Sequence, residues 1–333
     1  MTTSSIFDTQ IIGFFAGALK RSLSAGFKDN GFKGMFQRAG VLLNSLRFQR
    51  VQTRKREAAA AEGRTVPPIL IASVTRRCNL NCRGCYSKAL RGGPSGELPD
   101  AAFLRLFREA SDMGVGTILI AGGEPLMRPD LLREAAAVPG VIMPVFTNGL
   151  LMDEGFMDLF TAGRLIPVFS LEGEAGFTAA RRGRGIHETV LEKAAELKRR
   201  GALFGLSVTL TSQNADSVLS DRFLKNLRSL GAAVLFLVEY VPVSPGTEHL
   251  VLTGEQKAEL NRPGRFDGCG INVVCLPGDE EQYGGCLAAG RGFIHVADDG
   301  RLEACPFAPY SDSNAASAGL AAALESPLMQ AIR

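Results

Sequence analysis

Several features are missing from this 333-residue sequence, and each absence narrows what it can be. No run approaches the roughly 18 consecutive apolar residues that signal a membrane helix, which excludes a polytopic membrane protein. The start, Met-Thr-Thr-Ser-Ser-Ile-Phe-Asp8, lacks the basic n-region of a signal peptide. Neither polarity nor charge is in excess: 46% of residues are apolar and 21% charged, a globular balance rather than a disordered one. The seven cysteines are odd in number and fall in two groups, so no disulfide framework is expected. They read instead as reduced, metal-binding thiols in a reducing compartment, the cytoplasm. Histidine is scarce, and His187, His249 and His295 stand in no arrangement that reads as catalytic.

The small net charge of +3 hides an asymmetry. Residues 1–66 carry eleven Lys or Arg against four Asp or Glu, a balance of +7, while the other 267 residues carry −4. Apolar residues in this first segment recur every three to five positions without a β-branched run, which predicts two or more short amphipathic helices. Pro67-Pro68 forces an extended entry to the next segment. A basic amphipathic start suits a membrane surface, an acidic partner or a nucleic-acid arm. It equally suits a helical cap with solvated charges, and no nucleic-acid partner is expected for the chain as a whole.

From residue 68 the pattern becomes rhythmic. Apolar, β-branched runs occur at 69–74, 117–121, 141–147, 165–171, 204–210 and 234–240, with helix-like stretches between most of them. One such stretch starts near Asp100, sets Phe103, Phe107, Ala110 and Met113 on one face, and stops at Gly114. Another runs from His187 to Arg200 with basic residues in its last turn, as the helix dipole prefers. Six strands alternating with helices predict an α/β fold with a parallel sheet covered on both faces. This periodicity does not distinguish an open sheet from a barrel.

After the first run comes Thr75-Arg-Arg-Cys-Asn-Leu-Asn-Cys-Arg-Gly-Cys-Tyr86. Cys78, Cys82 and Cys85 supply three thiolates on one tight loop and no fourth, whereas a structural zinc or closed iron–sulfur site takes four protein ligands. A zinc knuckle or unrelated buried cysteines are the alternatives. In its C-x3-C-x2-C spacing the loop resembles that of the radical S-adenosylmethionine (SAM) enzymes. That resemblance implies a partial (β/α)6 TIM-like barrel; the basic helical N-terminal segment before it, read above from charge and spacing, lies outside the resemblance, and a small cysteine-containing β-hairpin extension follows the barrel. The expected divisions are 1–66, 67–262 and 263–333. It implies a [4Fe–4S] cluster on Cys78, Cys82 and Cys85 with SAM on its open iron. The family usually places an aromatic residue before the third cysteine; this chain has Gly84 there, with Tyr86 just after that cysteine.

Further matches fall where later strands end, the side on which such barrels gather their chemistry. Gly122-Gly-Glu-Pro125 resembles the family stretch that binds the amino group of SAM, so Gly122, Gly123, Glu124 and Pro125 are candidate contacts. The two glycines would let backbone approach the ligand closely. Thr147-Asn-Gly149 and Phe169-Ser-Leu-Glu-Gly173 resemble positions that touch SAM or substrate, which nominates Asn148 and Ser170, although both stretches contain common turn formers. Arg181-Arg-Gly-Arg-Gly185 resembles a stretch that holds the SAM carboxylate and nominates Arg182, since a guanidinium fits a carboxylate in bidentate fashion.

Four cysteines remain. Cys286 and Cys305 flank two alternating runs joined at Asp299-Gly300, a strong hairpin signal that brings them together. Their spacing resembles the opening of the SPASM or "twitch" extension, which implies an auxiliary [4Fe–4S] cluster completed by Cys269 and Cys275. A four-cysteine zinc site is the alternative, as are free core cysteines for the upstream pair. No cysteine comes after Cys305, so the later set of a full SPASM domain is missing. The resemblance implies reductive cleavage of SAM to a 5′-deoxyadenosyl radical and hydrogen abstraction, with a one-electron donor such as flavodoxin or ferredoxin. It assigns no catalytic side chain. The expected substrate is a peptide or protein side chain; a small-molecule or lipid-associated substrate in cofactor biosynthesis comes second. A non-catalytic iron–sulfur redox protein is the third reading, and membrane association through residues 1–66 remains an expectation.

Overall fold

All six apolar runs form strands, and the C-terminal third adds three more. The computed structural model describes residues 31–90, 96–276 and 285–333, with side chains from residue 39 onward. The strands are β1 (Ile69–Ser73), β2 (Thr117–Ala121), β3 (Met143–Thr147), β4 (Leu165–Leu171), β5 (Gly205–Leu210), β6 (Val234–Glu239), β7 (Asn272–Leu276), β8 (Phe293–Val296) and β9 (Leu302–Glu303). They form one sheet in the order β7-β6-β5-β4-β3-β2-β1-β8-β9. The first eight pair in parallel and only β8–β9 is antiparallel, giving a curled half-barrel.

Side-chain alternation divides the sheet into two faces. Leu70, Ala72, Ile118, Ile120, Val145, Leu206, Val208, Leu235 and Leu237 point one way, into a continuous core with Phe103, Phe107, Leu131, Phe160, Val190 and Leu224. Those partners come from helices Asp100–Met113, Pro129–Ala135, Glu154–Thr161, Ile186–Arg199 and Asp221–Leu230, which cover the outer face. Val168, Val234 and Phe236 form a separate inner-face cluster with Phe146, Val274 and Leu276. Ser170, Ser207 and Thr209 lie on this inner face by the same alternation.

The expected hairpin exists, but it joins the barrel sheet. Its first strand, β8, runs parallel to β1 with Ile69 opposite Phe293 and Ala72 opposite Val296. A buried polar network secures the pairing. The His295 Nδ1 lies 2.8 Å from a Glu303 carboxylate oxygen, and Nε2 lies 2.9 Å from the Ser73 hydroxyl. Arg76 adds a 2.5 Å ion pair to the buried Asp298 of the turn.

The N-terminal segment departs from the short amphipathic helices expected of it. Gly31–Ala61 is one continuous 31-residue helix. Its buried face from residue 39 onward includes Leu42, Ser45, Gln49, Gln52, Arg56 and Ala59, most of which are polar. The reason lies beneath it. The helix crosses the N-terminal ends of the strands, where backbone carbonyls of the connecting loops still have acceptor capacity to fill. Gln49 donates to Gly116 O (3.1 Å) and Thr117 Oγ1 (3.0 Å), Gln52 donates to Gly140 O (2.8 Å), and Arg56 donates to Gly114 O. Leu42 fills the remaining gap against Ile142 and Leu203. From residue 39 onward this helix is therefore a cap on the barrel, with Arg47, Arg50 and Arg54 exposed. That arrangement offers no support for membrane contact, and residues 1–30, on which the rest of that expectation falls, lie outside the described residues. No helix among the described residues is long and apolar enough to cross a membrane.

Adjacent leucines test the cap. Leu42 is 4% exposed and Leu43 55%. Leu42→Ala is expected to cost about 2–3 kcal/mol in denaturant unfolding. Leu43→Ala is expected to stay within about 0.5 kcal/mol of the parent; equal effects would overturn the cap.

Candidate functional site

The cysteine loop leaves the C-terminal end of β1 and is pinned by neighbours on several sides. The Thr75 hydroxyl and the Arg76 N–H donate to Glu97 at 2.8 and 2.9 Å. The N–H groups of Gly123 and Glu124 donate to Thr75 O (2.6 Å) and Arg77 O (2.8 Å). The Asn148 side-chain amide donates to Asn79 Oδ1 at 2.7 Å, between the first two cysteines. Farther along, the Arg83 N–H donates to Arg181 O at 2.9 Å. The loop thus spans from β1 toward the segment after β4.

Gly122 and Gly123 explain how the loop is held. A Cβ on Gly122 would run into Thr75 O, and one on Gly123 into Arg77 O. Gly122 has φ +136°, a conformation side chains resist. The close approach seen here is between these two glycines and the backbone of the cysteine loop. The Glu124 side chain turns inward. It is 1% exposed, and its carboxylate accepts from Leu126 N (3.0 Å), the Thr147 hydroxyl (2.7 Å) and Asn148 N (2.8 Å). Burial pushes its pKa up, against the pull of those three donors. Its side chain ties the end of β2 to the end of β3. Pro125 begins the short turn Pro125–Met127 and is buried behind it.

Three thiols occupy this loop. Burial pushes the Cys78 thiol up, opposed by the Leu80 N–H that approaches its sulfur at 3.4 Å. Burial also pushes Cys82 up, opposed by the Arg182 and Arg181 guanidinium groups. Both arginines bond one oxygen of the buried Glu172, at 2.5 Å from Arg181 and 2.6 Å from Arg182. Two cations on one carboxylate leave positive charge beside Cys82, which suits a thiolate-bound cluster and an anionic ligand. The other Glu172 oxygen, Oε2, is buried without a hydrogen-bond partner among the described residues. Glu172 was not singled out by sequence reasoning; its signal was a carboxylate at the end of β4 with paired arginines nine and ten residues on. Ser170 is half-buried on β4 opposite Ser207, and its hydroxyl makes no hydrogen bond among the described residues.

The donor set fits an iron–sulfur cluster: three soft sulfur ligands on a braced loop, with compensating positive charge. The later cysteines fall into two pairs. Cys286 and Cys305 lie together beyond the β8–β9 hairpin; burial pushes Cys305 up, its sulfur accepts N–H bonds from Phe307 and Ala308, and the Cys286 charge reaches it. Phe307 meets Tyr86, next to Cys85, edge-on with ring centroids 4.8 Å apart. Cys269 and Cys275 lie at the other end of the strand order. Cys275 is on β7 opposite Leu237, and the Cys269 thiol donates to Ile271 O at 3.2 Å. Among the described residues no three His, Cys, Asp or Glu side chains sit close enough to share a single metal ion.

Residues 72–224 match the family model of the Radical SAM superfamily. The chain is 30% identical over 275 residues to a probable GTP 3′,8-cyclase of Methanopyrus kandleri, covering 75% of this chain and 84% of that protein. It is 33% identical over 175 residues to a PqqA peptide cyclase of Ruegeria pomeroyi, covering 50% of this chain but only 46% of that relative. In fold it is similar to Streptococcus suis SuiB, solved bound to the precursor peptide SuiA, with a TM-score of 0.65 at 17% identity over 88% of this chain and 72% of that one.

Gly123→Ala tests the brace. The added Cβ cannot fit under Arg77 O, so iron incorporated after anaerobic reconstitution is expected to fall several-fold. Gly176→Ala, where a Cβ meets nothing within 4 Å, is the control and should load normally. Normal loading of Gly123→Ala would show that the loop does not depend on this contact.

Proposed function

The chain belongs to the radical SAM superfamily, and from that premise we propose that it modifies a peptide or protein side chain, with an auxiliary [4Fe–4S] cluster beside the SAM-binding one. The observation that carries the reading is the braced three-cysteine loop over the C-terminal ends of the strands, with the Arg181–Arg182 charge at Cys82. When bound, the cluster and SAM supply a 5′-deoxyadenosyl radical for hydrogen abstraction. The protein's part is to hold and orient. Cys78, Cys82 and Cys85 would hold the cluster and leave one iron for SAM. Glu124 keeps the Gly122–Gly123 backbone, the stretch proposed for the SAM amino group, in register with Asn148. Arg182 stands where it can take a carboxylate, already oriented by Glu172. Ser170 offers a free hydroxyl from the inner face. A one-electron donor would deliver the reducing equivalent.

Cys286 and Cys305 would hold the auxiliary cluster, with Cys269 and Cys275 supplying ligands from the opposite edge of the sheet. Gly285 comes nine positions after Leu276, so that connection reaches at most ~30 Å. A cluster shared in this way would clasp the two edges of the half-barrel. The residue divisions 67–262 and 263–333 then describe one sheet with a metal-bound closure. The peptide reading draws on the relative that cyclises PqqA peptide and on the fold shared with SuiB. The second reading, a small-molecule substrate, draws on the GTP cyclase relative, of which this chain covers the larger share.

Anaerobically reconstituted, reduced protein given SAM is expected to release 5′-deoxyadenosine, and Cys82→Ala to release none. Iron-loaded wild type that stays silent with and without peptide or GTP would count against the enzyme reading. Stimulation by GTP alone would favour the small-molecule substrate. Cys305→Ala is expected to bind about half the wild-type iron while keeping the cluster on Cys78, Cys82 and Cys85; undiminished iron would remove the auxiliary cluster.

A further inference from the structure

Gly84, between Cys82 and Cys85, has φ +64°, and a Cβ built there would lie 2.7 Å from the Tyr240 hydroxyl and 3.2–3.3 Å from its ring. Tyr240 comes just after β6, its N–H continuing the ladder to Leu210 O at 2.8 Å. Alternation with Val234 and Phe236 sets it on the inner face, from which it reaches the cysteine loop that overhangs the barrel mouth. The side chain is 5% exposed, and its hydroxyl oxygen is buried without a hydrogen-bond partner among the described residues.

A buried phenol ordinarily finds a partner, because leaving the group unpaired forfeits its hydration. The neighbours that would satisfy this O–H are acceptors placed at the loop between the second and third cysteines. Thiolates and sulfides of a cluster are rich in acceptor capacity and carry negative charge, and the protein atoms packed around Tyr240 provide no alternative. Glycine at position 84 is what lets the ring approach so closely.

We propose that Tyr240 is a positioning residue of the primary site, its hydroxyl donating a hydrogen bond to a sulfur of the cluster held by Cys78, Cys82 and Cys85. This rests on the reading of that loop as a cluster site. A donor aimed at sulfur stabilises the extra negative charge of the reduced cluster, so it raises the reduction potential.

Tyr240→Phe keeps the ring and removes only the hydroxyl. Two measurements on the full chain carry opposite signs. Without metal, the variant should be as thermally stable as the parent or more so, because an unpaired buried hydroxyl contributes nothing to the apo fold. With metal and without SAM, iron content should match wild type. The potential of the cluster that is lost in Cys82→Ala should become more negative. A tenfold fall in its reduction equilibrium, ~59 mV for a one-electron couple, is the expected scale. An unchanged potential and unchanged electron paramagnetic resonance spectrum in iron-replete Tyr240→Phe would overturn the assignment alone. Wild-type protein that assembles no cluster on the three cysteines would overturn the reading of the loop, and this assignment with it.

Discussion

Two stretches of backbone touch where most chains would hold a side chain apart, and the site depends on that contact. Gly122 and Gly123, leaving β2, lie directly against Thr75–Arg77, leaving β1. No other residue type allows the distance, since any Cβ would occupy the space of a carbonyl oxygen. Glu124 then locks the contact by committing its carboxylate to the β3 end, so three successive strand ends become one rigid rim. A flexible loop of about twelve residues would lose much entropy on gathering three thiols around a cofactor. A loop already fixed at Thr75, Arg77, Asn79 and Arg83 has met most of that cost during folding.

The second constraint is electrostatic. Three thiolates and an anionic ligand at one point would repel each other in a half-buried site, and burial pushes the Cys78 and Cys82 thiols up. The Arg181–Arg182 pair answers this from behind the loop. Glu172 orients both guanidinium groups without neutralising them. The same carboxylate is itself sheltered, so its pairing is stronger than that of an exposed salt bridge.

Much of this was legible in sequence because it is local. Apolar β-branched runs gave six strands, and Gly114 ended its helix in the left-handed conformation expected of it. The three-cysteine loop and the Gly-Gly-Glu-Pro turn were visible as motifs. What stayed hidden was what depends on distant partners. The hairpin signal at Asp299-Gly300 says nothing about a strand more than 200 residues earlier, so the parallel pairing of β8 with β1 could not be read. The N-terminal helix buries glutamine and arginine, which a search for apolar periodicity passes over; their purpose appears only once the loop carbonyls they bond lie beneath them. A motif records residue types and not directions, so the bonds that tie the Glu124 carboxylate to the ends of β2 and β3 could not be read from it. Tyr240 carried no motif, and its meaning comes from a glycine on another strand's loop.

The pairing of β8 with β1 sets an order of events on the ribosome. The first strand of the barrel is made early, yet one of its edges stays bare until residues 293–296 have emerged. Until then the Arg76–Asp298 bridge and the Tyr86–Phe307 contact, which flank the cysteine loop, are also absent. A nascent chain can build the strands in sequence, but the loop reaches its final shape only once residues up to Phe307 have been synthesised. Maturation of the site therefore waits on residues 293–307, and a chain cut short near residue 290 would carry all three loop cysteines without the strand and contacts that complete their surroundings.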